Sequence, residues 1–407
     1  MKIKYFNLCF IALLFLLNFL YFTPSIAQSN HTKKAKKLLR ALIEIEQISD
    51  KNLQQIKVDE LWYKLISSNS IPYISGKSIV FLFKGNYNSV HFVGDMTSWQ
   101  IDEKFKAKRL EDSDLWYLKS SFPKNARLDY KIVLNEQEWV LDPNNSQIQY
   151  SGFGANSAFS MPNYMKSEFI VNQENVSKGE ILELQIYSEI LKRMVLFFVY
   201  KPATYNLSTN FPTIYVTDGQ EYIDARTGAM PIIIDNLIFQ EKIKPIVAVF
   251  VSPINPETNE NERHKLFINN IEYAQFFQNE LIPYIQNHFN VSVKASERAI
   301  LGTSYGGNNS CWFAYKIPQT FKLIAAQSPS FPTNIDSLLA NSQSLEVDKF
   351  YISTGVINDT ENYADKLAII LKNKKIDYKY IKVNESHSWG NWSALIDDIL
   401  LFFFEKK

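Results

Sequence analysis

The residues with the clearest chemical potential are Gly302-Thr303-Ser304-Tyr305-Gly306-Gly307. They follow the short apolar run Arg298-Ala299-Ile300-Leu301 and precede a helix-like stretch, Asn308 to Lys316. A strand, a G-x-S-x-G turn and a helix in that order make a nucleophile elbow. A strained turn then presents the serine hydroxyl at the C-terminal edge of a sheet, and the flanking small residues let strand and helix approach. The chemistry of such a serine is attack on a carbonyl carbon, and it needs a neighbouring base to take its proton.

Chain order identifies the base. The sequence holds five histidines, and α/β-hydrolases carry their catalytic groups in the order Ser, acid, His. His31 falls just after a candidate cleavage site, His91 in a strand-like run, His264 in a polar loop and His288 at the end of a helix. Only His387 follows Ser304, in a loop after the last strand-like run and directly before the last helix. The acid should come from the loop after Phe350 to Ser353, where Asp359 is the first carboxylate and Glu361 its competitor. Either carboxylate would also suit the N-terminus of the helix that begins there. Oxyanion donors are expected from the backbone N–H of Tyr305 and, beyond the turn-forming Gly219, of Gln220.

These groups need elements to hold them. At 407 residues the chain exceeds one ordinary domain. Apolar residues make up 46% and charged residues 21%, which is globular, and a net charge of +1 with no basic aromatic stripe argues against nucleic acid as a partner. Residues 1–27 read as a signal peptide: a basic start, an apolar run from Phe10 to Phe22, and Ser25-Ile26-Ala27 before Gln28. The protein is therefore expected to be exported, to the periplasm or beyond, with an uncleaved anchor as the alternative. Cys9 leaves with that segment, so Cys311 remains alone and reads as a small buried apolar residue. No H-E-x-x-H pair, cysteine cluster or phosphate loop is present, so neither metal nor cofactor is expected.

Residues 28–77 read as a helical leader, continuous to about residue 75, with apolar positions Leu38, Leu39, Ala41, Leu42 and Ile45 at helical spacing. Residues 78–165 hold an immunoglobulin-type β-sandwich and a linker, with strands at Ser78–Lys84, Ser89–Val93, Leu115–Ser120 and Leu128–Leu134. The sandwich is expected to end near Pro143, leaving Asn144 to Asn163 as a long connection. Residues 166–407 read as α/β: two long strands, then continuous apolar runs alternating with helices, which predicts a mostly parallel sheet that is antiparallel at its first strands.

The last part resembles the enterochelin-esterase-like, or esterase D-like, group of α/β-hydrolases. The matching stretches are Tyr215-Val216-Thr217-Asp218-Gly219-Gln220, Val247 to Val251, Asn279 to Ile285, the GTSYGG turn, Gln327-Ser328-Pro329-Ser330, and His387-Ser388-Trp389 with Trp392. The sandwich is similar to the E-set, glycogen-binding-like modules found beside such esterases, through Phe92 to Trp99, Asp114 to Tyr117, Tyr130 to Val133 and Leu141 to Asn144. The resemblance implies a cofactor-free serine esterase that works through an acyl-enzyme on a small-molecule or glycan-linked ester. Siderophore esters stand first, and acetyl or feruloyl esters of polysaccharide are the alternative. It also implies that Arg263 and Trp389 meet the substrate. The sandwich is expected to contact carbohydrate, through Trp99, Trp116 or Trp139, or else to act as a lid. A glycan-binding protein with a vestigial hydrolase is the competing class.

Overall fold

A computed structural model describes residues 36–343 and 345–406; the expected signal peptide lies outside them. Strand β2 (Ser78–Lys84) shows how the amino-terminal half is built. Its five central residues are all buried, although a strand's side chains alternate between faces. Ile79, Phe81 and Phe83 enter the sandwich core, while Val80 and Leu82 pack beneath helices α1 (36–46) and α2 (Lys51–Ser67). The leader therefore roofs one sheet. Helices of this length are marginal alone, so burial holds them in place.

The leader is two helices, not the one continuous helix expected. The break falls at Asp50, whose side chain accepts from the amides of Asn52 and Leu53 and caps α2. Beyond α2 the chain turns into β1 (Tyr73–Ser75), which pairs with β2.

The remaining sandwich strands are β3 (Val90–Gly94), β4 (Lys108–Arg109), β5 (Leu115–Ser121), β6 (Arg127–Leu134), β7 (Glu138–Val140), β8 (Ile148–Ser151) and β9 (Gly154–Ser160). One sheet runs β1-β2-β5-β4, the other β3-β6-β9-β8 with β7 on the far end of β6. Phe81 stacks on Phe92 across the gap, with ring centroids 4.8 Å apart. The expected long connection is thus overturned: β8 and β9 are a hairpin within residues 144–163, and β9 pairs antiparallel with β6. Small and polar residues hide its alternation, since only Ala158 and Phe159 of β9 are buried apolar residues.

The second half carries an eight-stranded sheet in the order β10-β11-β13-β12-β14-β15-β16-β17. These strands are Glu180–Ser188, Arg193–Lys201, Thr213–Thr217 (β12), Val247–Val251 (β13), Arg298–Thr303 (β14), Leu323–Gln327 (β15), Lys349–Gly355 (β16) and Asp377–Val383 (β17). The first two, β10 and β11, pair antiparallel and β11 meets β13 antiparallel; all later neighbours are parallel. Buried clusters cover both faces, with Val247, Val249 and Val251 on one and Ala248 and Phe250 on the other. That two-sided burial is why these strands read as unbroken apolar runs.

The flanking helices are α3 (Gly219–Ile223), α4 (Met230–Phe239), α5 (Arg263–Phe267), α6 (Ile271–Phe276), α7 (Ile282–His288), α8 (Tyr305–Lys316), α9 (Ile335–Asn341), α10 (Glu361–Asn373), α11 (Trp389–Ser393) and α12 (Ile396–Phe404). Two differences from expectation matter near the site. His264 lies in the short α5 rather than a loop, and the last helix is broken into α11 and α12. Among the described residues, no helix is long and apolar enough to cross a membrane.

Candidate active site

Ser304 joins β14 to α8 with φ 58° and ψ −118°. For a residue with a Cβ this conformation costs on the order of 1–3 kcal/mol. Its backbone is held by hydrogen bonds: Ser304 N–H donates to Gln327 O, and its own carbonyl accepts from Asn308 and Ser330. Glycine is required on both sides. A Cβ at Gly302 would lie 2.2 Å from Gly306 O, and one at Gly306 would lie 2.6 Å from Thr217 Oγ1.

His387 and Asp359 arrive from two neighbouring loops, after β17 and β16 respectively. Nδ1 of His387 lies 2.6 Å from Asp359 Oδ1. Burial by itself would raise the Asp359 carboxyl. The hydrogen bond and charge of His387, with hydrogen bonds from Ser328 and the Gly355 amide, outweigh it and hold the group below its usual value. The carboxylate is therefore ionised, which puts the imidazole proton on Nδ1 and leaves Nε2 as the basic nitrogen. Glu361 is not in contact with the histidine: it begins α10 and pairs with Lys382 at 2.9 Å. Asp365 pairs with Lys382 at 2.7 Å.

A relay of donors fixes the carboxylate. Trp392 Nε1 donates to Ser328 Oγ (2.9 Å), and Ser328 Oγ donates to Asp359 Oδ2 (2.6 Å). Trp392 also meets the His387 ring edge-on, 4.9 Å between centroids. Ser328 has no catalytic signature in sequence, yet it directly follows the C-terminal end of β15, the edge where α/β sheets build their sites.

Ser304 and His387 line one cleft of about 440 Å³. No hydrogen bond joins the Ser304 hydroxyl to another described residue; in enzymes without substrate such bonds are often long and tighten on binding. The cleft has two walls. Asp218, Glu221, Arg263, Trp389 and Trp392 belong to the hydrolase half, while Asp95, Trp99, Lys131, Phe153 and Asn156 belong to the sandwich. Phe153 is fully exposed in the β8–β9 turn, and the adjacent Gly152 N–H donates to Glu221 Oε2 across the gap (3.2 Å). The Trp389 indole N–H donates to the same oxygen.

Arg263 lines the cleft, but its guanidinium is largely committed. Nε donates to both oxygens of Asp218, at 2.8 and 2.9 Å, and Nη2 to Thr303 O at 2.9 Å. Arg263 thus braces the elbow strand while also lining the cleft where the resemblance places it. Burial pushes Asp218 up to about 6, with Arg263 opposing and Glu221 adding to the rise. Trp389 is nearly fully buried and packs on Tyr222 and Trp392, so only an edge reaches the cleft. Tyr305 and Gln220 are the first residue of α8 and the second of α3. Amides at those positions have no partner within their helices, but neither residue is among those lining the cleft. Of the three tryptophans considered as sugar platforms, Trp116 is buried and donates to Gly85 O, Trp139 is partly exposed on β7, and only Trp99 reaches the cleft. Cys311 is fully buried, which pushes its thiol far up and leaves it unreactive.

The sheet, the elbow and the strand-end loops together define an α/β-hydrolase domain preceded by a β-sandwich. The family model described as "Putative esterase" matches residues 188–403, and the chain belongs to that family. Curated relatives include "Uncharacterized protein YbbA" of Bacillus subtilis, 26% identical over 145 residues (33% of this chain, 56% of that protein). An endo-1,4-beta-xylanase/feruloyl esterase of Xylanibacter ruminicola is 25% identical over 162 residues (38% of this chain, 22% of that protein). The chain thus spans less than two thirds of either relative. Among solved structures, the enterobactin esterase FES from Shigella flexneri superposes with a TM-score of 0.68 at 18% identity, covering 80% of this chain and 92% of that one. The ferric enterobactin esterase of Salmonella typhimurium gives 0.69 at 17% identity, covering 84% and 98%. At these identities the likeness establishes the shared fold.

Proposed function

We propose that the protein hydrolyses carboxylic esters through Ser304, His387 and Asp359. The observation that carries this reading is the 2.6 Å contact between His387 Nδ1 and a buried, ionised Asp359, beside a cleft that also holds the strained Ser304. Nε2 of His387 takes the Ser304 proton as Oγ attacks the ester carbonyl, and Asp359 stabilises the resulting imidazolium. The Tyr305 N–H, joined by that of Gln220, receives the oxyanion. His387 returns the proton to the departing alcohol, and water then cleaves the acyl-enzyme by the same path.

The substrate we propose is an ester with an aromatic acyl portion, first of the catecholate-serine type that siderophores carry. Trp99, Phe153, Trp389 and Trp392 supply apolar surface around the serine. Arg263 is neutralised by Asp218, Glu221 adds a carboxylate, and burial with the neighbouring Asp129 pushes the Asp95 carboxyl well up. Lys131 is the one other cation among the described residues lining the cleft, so the site offers little to hold a highly anionic ferric complex, and the iron-free ester fits it better. A feruloyl ester of polysaccharide is the second reading, supported by the Xylanibacter relative's name. Export is proposed from residues 1–27, with the site working in the periplasm or outside the cell.

The experiment combines fluorophosphonate labelling with turnover of iron-free and ferric catecholate triesters, methyl ferulate and acetylated xylan. Wild type should label and Ser304→Ala should not, with turnover reduced by at least about 10³-fold. Equal turnover in the two proteins defeats the triad. Absence of labelling together with retention on polysaccharide would instead identify a glycan binder.

A further inference from the structure

A second polar cluster lies on the sandwich, and none of its members lines the esterase cleft. Along β3, Val90 and Phe92 enter the core, so His91 points to the opposite face of its sheet. There the 3-10 turn Glu103–Phe105 and the β6–β7 turn close over it. The latter turn carries Asn135 and Glu136 at φ 50° and 62°. It is tied down where Asn135 Oδ1 accepts from Asn88 N–H (2.8 Å).

The His91 side chain is fully buried, and neither ring nitrogen has a hydrogen-bond partner. An imidazole left so is unusual, because buried polar groups are nearly always paired. Its Nε2 faces Glu103 Oε1 at 3.6 Å, too long for a hydrogen bond. It is close to the roughly 3.4 Å that separates two ligands each about 2.1 Å from one tetrahedral ion. Glu136 completes the set: one ligand atom from each of the three residues lies within 4.8 Å of the others.

We propose that His91, Glu103 and Glu136 bind a divalent transition-metal ion of the Zn²⁺ type. One imidazole and two carboxylates suit such an ion better than Ca²⁺ or Mg²⁺, which take oxygen ligands. Water fills the fourth position. The exposed Lys106 ammonium sits 3.2 Å from Glu103 Oε2 and is the competitor the ion displaces. The site staples β3, the 3-10 turn and the β6–β7 turn together, so its role is structural, apart from ester hydrolysis. No sequence motif announces it, because its ligands come from three separate turns and strands.

The test is calorimetric titration of the untagged full-length protein with ZnCl₂ at neutral pH, repeated by Co²⁺ absorption. One saturable equivalent is expected in wild type. Glu103→Gln and Glu136→Gln, both at exposed positions, should each weaken binding at least about tenfold, and Lys106→Met should tighten it. Zn²⁺ should raise the melting temperature of wild type and not of the Glu103→Gln/Glu136→Gln double variant, with small-ester turnover the same in both. The site is overturned if wild type shows no saturable binding, if the double variant binds equally well, or if Lys106→Met binds more weakly.

Discussion

The guanidinium of Arg127, on sandwich strand β6, fills the space that a side chain at Gly390 would need: a Cβ there would lie 1.6 Å from Nη1. Gly390 stands three residues after His387. Arg127 is itself immobilised, with Nη1 2.9 Å from Asp129 Oδ1, Nη2 donating to Gln149 Oε1 (2.8 Å) and its backbone N–H to Asn384 O (3.3 Å). The loop of the acid is held similarly, since Asn358 Nδ2 donates to Asp95 O at 2.8 Å. Both loops that carry His387 and Asp359 are therefore fastened to the sandwich.

Gly390→Ala should accordingly lower turnover even of small esters, on the order of 10²-fold, the scale of an ångström of misplacement. Combining it with Arg127→Ala should cost less than the sum of the two, because the second change vacates the contested space. A double-mutant cycle on p-nitrophenyl acetate measures this, and strict additivity contradicts the packing.

Asp359→Asn should lower kcat by roughly 10³- to 10⁴-fold, because the amide no longer fixes the productive tautomer. Asp359 is depressed in the folded protein, so it stabilises the fold above the ordinary carboxylate value of about 3.9. That contribution disappears as pH falls through its lower folded value. Acid unfolding of wild type and Asp359→Asn should thus converge at low pH, as measured by circular dichroism. Ser328→Ala, which removes one donor to the carboxylate, should shift the acid transition in the same direction by less.

Glu385 behaves in the opposite sense. Burial raises it to about 7, with Arg127 opposing and Asp129 adding to the rise. Between an unfolded value of about 4.3 and that folded value, the native state holds the extra proton, so stability falls as pH rises through this window. Glu385→Gln should flatten the decline and leave the protein more stable at pH 8, by up to about 3 kcal/mol. Denaturant melts at pH 5 and pH 8 give the answer; an equal slope in both proteins refutes the assignment.

Phe153→Ala should raise KM for aromatic-acyl esters by about three- to tenfold while leaving acetate esters nearly unchanged. The ring is exposed over the cleft and supports nothing in the fold, so melting temperature should not move. Equal effects on both ester classes would remove Phe153 from substrate contact.

Much of the architecture is written locally. β12 to β16 declare themselves as apolar runs because both faces are covered, and the Gly302-to-Gly306 spacing marks a turn that only small residues permit. What stays hidden is pairing between distant segments. Residues 148–160 look like a linker because the edge strand β8 buries no large apolar residue, and Arg263 looks free because Asp218 lies 45 positions earlier. The relay from Trp392 through Ser328 to Asp359 likewise joins helix α11 to the segments after β15 and β16, which sequence separates.

The shared cleft makes the two halves depend on each other. Neither completes the site alone, because each supplies one wall of it. Activity should emerge only once the two halves have docked, which makes the interface around Arg127 a checkpoint in biogenesis.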